Sequence, residues 1–522
     1  MPSFAQKRTI IVAIVVVFCT FVILRQTKTK TTTDIRAESS VIKFLKWPGE
    51  FTSAVSSMFN GQSIPSMAQI PETTILQNMK LGEISDLYFR YVNTLQVFCP
   101  VKNIYGGVRS GWYTCEVATK ADQPCVSYMI TSKEKDAIVD AFFKEIGQDY
   151  KCEKNVILNS TMTAEKNSPD TDATSSVAVL KSKKHVDYMV MDVQGGETQL
   201  LSFMLKNGLL RTVGQLIVTF HGIKADSNEA VYVEHLQVLR ALYQEGYRTF
   251  HFNRQIQCLF SGNPMKTGCY TLSMMREMPI HGPLEVFTPE LIKTQPLNAL
   301  ASLYHKLLVS TQVHCKEVVR IGKVDDGGWD ICNDTEYRPS SPCIVYSFGV
   351  AGDWSFDDEV SRIYGCEVHS FDPSIGKQDH KRSDKITFHN LGLWGKPKGQ
   401  HGKWKMMNLE GIMQMLGHTN KKIDIIKMDI ESSEWSAIPD MISTGVLKKA
   451  RQFNVEFHNN HNPHESFRSK MSILRGINDQ GLKLFWSHPN TYNVKQFGPT
   501  GRQVTACYEN YYLNPNLKKT NA

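Results

Sequence analysis

The sequence contains no C-x-x-C pair, and its Lys and Arg residues never gather into a long basic block. The first absence removes the usual ligand spacing of a cysteine zinc site. The second removes the basic groove that nucleic-acid binding needs: runs such as Lys181-Ser182-Lys183-Lys184 and Lys421-Lys422 are short, and the formal charge of +8 is spread along the chain. No metal and no nucleic-acid partner are expected. A small-residue cleavage site is also missing after the apolar run Thr9 to Leu24, which is flanked by Lys7-Arg8 and Arg25. That run reads as an uncleaved signal anchor, shorter than the ~20 residues that span an average bilayer but usable with snorkelling flanks.

What the 522 residues do contain is one domain written twice. Val186 to His221 lies without a gap over Ile423 to His458, matching Asp187/Asp424, Met191/Met428, Asp192/Asp429, Glu197/Glu434, Gly208/Gly445 and His221/His458. A second block pairs LYFRYVNTLQVFC, ending at Cys99, with LYHKLLVSTQVHC, ending at Cys315. The copies serve as an internal comparison. Residues kept by both belong to the architecture, and residues kept by one are candidates for chemistry.

Of the twelve cysteines, ten fall into matched pairs between the copies: Cys99/Cys315, Cys115/Cys332, Cys125/Cys343, Cys152/Cys366 and Cys269/Cys507. Cys258 has no counterpart. The repetition predicts a disulfide framework, which needs an oxidising compartment, and sequons at Asn159 and Asn333 agree with glycosylation there. The expectation is a single-pass membrane protein with a lumenal or extracellular body. Its parts would be a cytosolic tail (1–8), the anchor (9–24), a stalk (25–80), a first repeat (81–280), a Pro-punctuated linker (281–296) and a second repeat (297–522).

Within the second repeat, CIVYSF, CEVHSF, KITFHN, IDIIKM and QFNVEF read as strands, alternating with helical patterns over Phe356 to Tyr364, Leu409 to Leu416, Ser436 to Leu447 and Phe467 to Gln480. Alternation of this kind predicts an α/β fold: two tandem Rossmann-like domains, each a mostly parallel sheet with helices on both faces. A strand ending in Gly349, with Gly352 three residues on and Asp353 opening the next helix, gives a loop where a ligand can press against backbone. Asp372 ends the following strand 20 residues after Gly352, the separation at which an acid reaches ribose hydroxyls in nucleotide-binding folds.

These segments, SFGVAGDWSFDDEV, HSFDPS, HNLGLWG and IDIIKMDIESSEWSAIPDMI, resemble the S-adenosylmethionine-dependent methyltransferases of the methyltransferase-like protein 24 type, relatives of the FkbM-type enzymes. The resemblance covers most of the second repeat and, more weakly, the first. It implies S-adenosylmethionine as cofactor, with Gly349, Gly352 and Asp353 around its methionine and sugar moieties and Asp372 on the ribose. It also implies O-methyl transfer to an unidentified small molecule, glycan or secretory protein, and places Asp429 near the active site.

In the first repeat, Thr131 to Lys135 stands in place of Gly349 to Asp353, and Leu158 in place of Asp372. That copy is expected to keep the fold without the cofactor. Glu431 becomes Gln194 and Glu456 becomes Thr219, which makes Glu431 and Glu456 candidates for base or acceptor-binding roles beside Asp429. His458, His461 and His464 are spaced for a metal only if their loop folds back, and a solvated loop is the simpler reading. Trp112 and Trp329 read as packing against the cysteine framework. Two other functions fit the expected topology. A Golgi-type glycosyltransferase would need a D-x-D after a strand, but Asp170-Thr171-Asp172 lies in a polar loop. A non-catalytic scaffold would bind no cofactor.

Overall fold

The computed structural model describes residues 69–108, 111–117, 124–132, 136–158, 180, 185–459, 463–498 and 501–519. Each repeat supplies one large sheet beside smaller two- or three-stranded ones, and both belong to the compact unit Ala54–Ala522. The α/β class expected from alternating periodicities is the class found. In the second repeat eight strands run in the order His380–Lys381, Ile386–His389, Glu367–Phe371, Ile344–Phe348, Ile423–Met428, Ala450–His458, Cys507–Leu513 and Lys483–Pro489. The pairings from Ile386–His389 through Ala450–His458 are parallel, and the last two strands add antiparallel. The first repeat has six strands, in the order Glu153–Leu158, Val126–Thr131, Val186–Asp192, Val213–Phe220, Tyr270–Met275 and Arg248–Arg254.

Alternation along each strand divides side chains between the two faces of the sheet. Tyr346 and Phe348 join Ile426, Met428 and Phe453 in a core under helices Leu297–Leu307, Glu434–Ser443 and Pro463–Asp479, while Val345 and Ile425 join the opposite core with Phe356 and Val360. That opposite core continues into the first repeat through Tyr88, Met191 and Leu216.

Details shared by the repeats identify what the architecture requires. Asp187 accepts a hydrogen bond from the Val126 N–H at 2.8 Å, and Asp424 accepts one from the Ile344 N–H at 3.0 Å. Gln215 and Gln452 each brace the backbone of a disulfide cysteine, Cys115 and Cys332 respectively. The disulfides Cys99–Cys115 and Cys125–Cys152 recur as Cys315–Cys332 and Cys343–Cys366. The fifth matched pair behaves differently. Cys258, which lacked a counterpart, bonds to Cys269, and this leaves Cys507 as a buried free thiol.

Other expectations need correction. The anchor at Thr9 to Leu24, Asn159 and the loop holding Asp170-Thr171-Asp172 lie outside the described residues. Among the described residues no helix is long and apolar enough to cross a membrane. The longest, Pro463–Asp479, has 17 residues and carries Arg468, Lys470 and Arg475. The expectation of a single-pass membrane protein is corrected accordingly. Asn333, in the second sequon, is 2% exposed, donates to Glu317 and accepts from the Tyr364 hydroxyl, so it is closed to a glycan in the folded chain.

The repeats meet across polar and aromatic contacts. The Leu95 N–H donates to the Lys316 carbonyl at 2.7 Å and the Thr311 N–H to the Pro100 carbonyl at 2.8 Å. Trp486 stacks on His251 and Phe252, each at 4.7 Å between centroids. Lys102 is buried beside that stack, its Nζ 5.5 Å from the Trp486 ring. Burial pushes the Lys102 ammonium down to about 7. The unfolded chain therefore binds a proton here that the fold disfavours, and the penalty is full below pH 7 and fades as pH rises towards 10.5. Lys102→Met should raise the urea midpoint at pH 7, with the gain shrinking as the titration is repeated at increasing pH. An unchanged midpoint at pH 7 would contradict this account.

Candidate functional site

Strand Ile344–Phe348 stops where the chain turns at Gly349, with φ +75°. A Cβ on Gly349 would lie 1.6 Å from the Asp429 carbonyl oxygen, so only glycine fits. Across the same contact the Asp429 N–H donates to the Phe348 carbonyl at 3.1 Å. Lys427, buried in the adjacent strand, donates to the carbonyls of Phe348 and Gly349, and its ammonium lies 5.2 Å from the Trp329 ring. Gly352 differs: its φ is +85° and no heavy atom lies within 4 Å of its missing Cβ, so one side of the loop is open. The two glycines singled out in the sequence thus serve different needs, one for packing and one for open space.

The acids of the loop shape it. Asp372, 4% exposed, accepts from the Ala351 N–H at 2.8 Å through one oxygen and from the Ser374 N–H and hydroxyl at 2.7 and 2.6 Å through the other. Asp353 accepts from the Ser355 N–H at 2.9 Å and pairs with Lys323 at 2.6 Å. Burial works against its charge, but the Lys323 and Ser355 bonds hold its carboxyl below the usual range. Beneath the loop, buried Asp357 accepts from Ser370 at 2.5 Å and Ser347 at 3.3 Å.

The second group of acids gathers around His458, where strands Ile423–Met428 and Ala450–His458 end. His458 Nδ1 lies 3.2 Å from Glu434, which is fully buried and also accepts from the Ile430 N–H at 2.9 Å. His458 Nε2 stands 3.8 Å from Asp429 and 3.6 Å from Glu431. Glu431 is exposed and has φ +53°. Glu456 is 7% exposed, accepts from Asn490 at 3.1 Å, and occupies the rung opposite Glu509. Burial, then repulsion from Asp429 and Glu509, pushes the Glu456 carboxyl up to about 8. Burial likewise raises Asp429 to about 6. Burial disfavours the His458 imidazolium, but the Glu434 bond and the neighbouring acids lift it to about 9. All three candidates, Asp429, Glu431 and Glu456, therefore stand at one end of the sheet, next to the glycine loop. His461 lies outside the described residues.

The first repeat shows which of these groups belong to the fold. It keeps the Glu197–His221 pair at 2.7 Å, with the Gly195 N–H donating to the same carboxylate. Gln194 retains the left-handed backbone, φ +55°, found at Glu431. The groups around that frame differ. Thr219 and Thr271 bond to each other at 3.0 Å on the rung that carries Glu456 and Glu509 in the second repeat. Val190 and Val139, both buried, replace Lys427 and Asp357. Strand Val126–Thr131 also runs one rung further, pairing Thr131 with Asp192, where the second repeat turns at Gly349. Sequence reasoning missed Lys427, Asp357 and Glu509. A signal existed for all three, a charge aligned with valine or, for Glu509, with Thr271 in the other copy.

Residues 287–498 match the family model described as a methyltransferase domain. A human protein, "Probable methyltransferase-like protein 24", is 27% identical over 247 residues, 43% of this chain and 67% of that protein. The rat protein of that name is 27% identical over 197 residues, 35% of this chain and 54% of its own length. Among solved structures, Haemonchus contortus phosphoethanolamine N-methyltransferase 2 with S-adenosyl-L-methionine is 9% identical, with a TM-score of 0.22, over 76% of this chain and 96% of that one. The motif run from Gly349 to Glu434 falls inside the matched segment, so the glycine loop and the acids lie within the part of the chain that is similar to methyltransferase domains.

Proposed function

We propose that the second repeat transfers a methyl group from S-adenosylmethionine to an oxygen acceptor, and that the first repeat keeps the fold without the cofactor. The observation that carries this reading is the placement of the glycine loop against the acid cluster, Gly349 on the Asp429 carbonyl. The loop suits the cofactor because the side of Gly352 is open and Asp372 Oδ2, which accepts only the Ala351 N–H, keeps a lone pair for a ribose hydroxyl. S-adenosylmethionine supplies an electrophilic methyl on a sulfonium. The protein has to align an acceptor oxygen with it and take that oxygen's proton.

Asp429 and Glu456 suit the proton-accepting role, being carboxylates at the sheet end with raised affinity for a proton. Glu431, more exposed, suits acceptor binding. For the acceptor, a hydroxyl-bearing small molecule, glycan or protein, a cavity of about 330 Å³ between the repeats adjoins Glu456 through Asn490 and Glu509. Tyr113 and Arg254 of the first repeat line it, opposite His488, Asn490 and Glu509 of the second.

Titration calorimetry of the full chain with S-adenosylhomocysteine tests the cofactor assignment. Asp372→Ala should weaken binding about ten- to hundredfold through lost charge-assisted bonds of roughly 1.5–3 kcal/mol. Equal binding by parent and variant, both folded by circular dichroism, would remove Asp372 from the site.

The glycines should separate in the same assay. Gly349→Ala drives a Cβ into the Asp429 carbonyl and should lower the melting temperature as well as abolish binding. Gly352→Ala should melt closer to the parent and lose affinity chiefly through its positive φ. The reverse ranking of melting temperatures would show that Gly349 is not the packing residue.

A further inference from the structure

Strand pairing sets His458 directly opposite Cys507, with Glu456 two residues away on the same face. One ligand atom from each of Glu456, His458 and Cys507 lies within 4.8 Å of the others, and all three residues are buried. We propose that these three residues hold a zinc-like divalent cation, leaving an open coordination position.

The donor set fits such an ion. Thiolate, imidazole and carboxylate together favour a borderline-soft transition metal over magnesium or calcium. Metal–ligand bonds of about 2.0–2.3 Å place tetrahedral ligands roughly 3.4–3.8 Å apart, so the triad needs only a small contraction. Glu434 sits on His458 Nδ1, which fixes the ring and leaves Nε2 for a metal, the arrangement in which a carboxylate orients a ligating histidine. A separate observation points to a missing partner on the Nε2 side: Asp429 Oδ1 is buried without a hydrogen bond and faces His458 Nε2 at 3.8 Å. Binding would release to solvent the Cys507 thiol proton together with the protons that His458 and Glu456 hold in the metal-free site, so that they ligate as thiolate, neutral imidazole and carboxylate.

The first repeat is the control within the chain. It keeps the Glu197–His221 pair, but Thr219 replaces the carboxylate, and Cys269, at the position of Cys507, is closed in a disulfide with Cys258. Two of three ligands are thus withdrawn from the copy that also lacks the glycine loop. The absence of C-x-x-C gave no hint of this site, because its ligands meet across two strands about 50 residues apart. At the open position the ion would bind an acceptor oxygen and ease its deprotonation, with Asp429 taking the proton because Glu456 is then held as a ligand. That last step alone rests on the methyl-transfer reading.

Cobalt(II) titration of the metal-free full chain tests the site. One ion per chain should bind, with tetrahedral-intensity visible bands and a thiolate-to-cobalt charge-transfer band. Cys507→Ser should abolish the charge-transfer band. Glu456→Thr, which installs the residue that the first repeat carries on the same rung, should weaken cobalt binding by roughly tenfold or more. Equilibrium dialysis should show zinc competing for the same ion. Failure to bind cobalt, or a spectrum and affinity indifferent to both substitutions in chains that remain folded by circular dichroism, would overturn the proposal. S-adenosylhomocysteine binding, measured on the same samples, reports separately on the methyltransferase reading.

Discussion

The second repeat depends on one close contact, the backbone of Gly349 lying on the Asp429 carbonyl. A side chain there would force the loop away from the neighbouring strand, and the N–H···O bond from Asp429 to Phe348 would go with it. Lys427 secures the contact from below by donating to both loop carbonyls. Because the residue at the end of the next strand is itself Asp429, the contact that positions the cofactor loop also fixes the nearest acid. Loop and acid cluster are thus one mechanical unit.

Maintaining that unit requires charge in the interior. A buried ammonium and a buried carboxylate are each costly unless they are paired or hydrogen-bonded. Here Lys427 has two carbonyls and the face of Trp329, and Asp357 has two serine hydroxyls. The first repeat avoids both costs with Val190 and Val139 and lets its strand continue to Thr131. Once no loop had to be held open, apolar packing was the more stable solution at both positions.

The elements of the second repeat were legible in the sequence because alternating periodicities are local. Strand Ile423–Met428 falls where IDIIKM indicated, and helix Ser355–Tyr364 within a residue of its expected start. The grouping of Asp429, Glu431 and Glu456 was legible for a different reason, the presence of a second copy to subtract. What stayed hidden was non-local. The antiparallel pairing that sets Cys507 opposite His458 and Glu509 opposite Glu456 joins segments about 50 residues apart, and no local pattern encodes the register. The same limit explains Cys258. Matching cysteines between copies could not show that one copy had closed its own pair.

The opposed carboxylates show why a repeat without the glycine loop is still needed. Arg254 of the first repeat bonds to Asp330 at 2.7 Å, Asp330 to Arg320 at 3.2 Å, and Arg320 to Glu509 at 3.0 Å, with both carboxylates buried. Burial alone would raise the Glu509 carboxyl, but Arg320 and then His488 hold it down at about 2. The charge kept on Glu509 repels charge on Glu456, across the same rung, and helps to push Glu456 up. Two like groups side by side are thereby driven apart in proton affinity, which leaves one as fixed charge and the other free to exchange a proton. Arg254 is the part of that chain which the second repeat cannot supply. Arg254 shares Asp330 with Arg320, so the first repeat contributes to the electrostatics of the second.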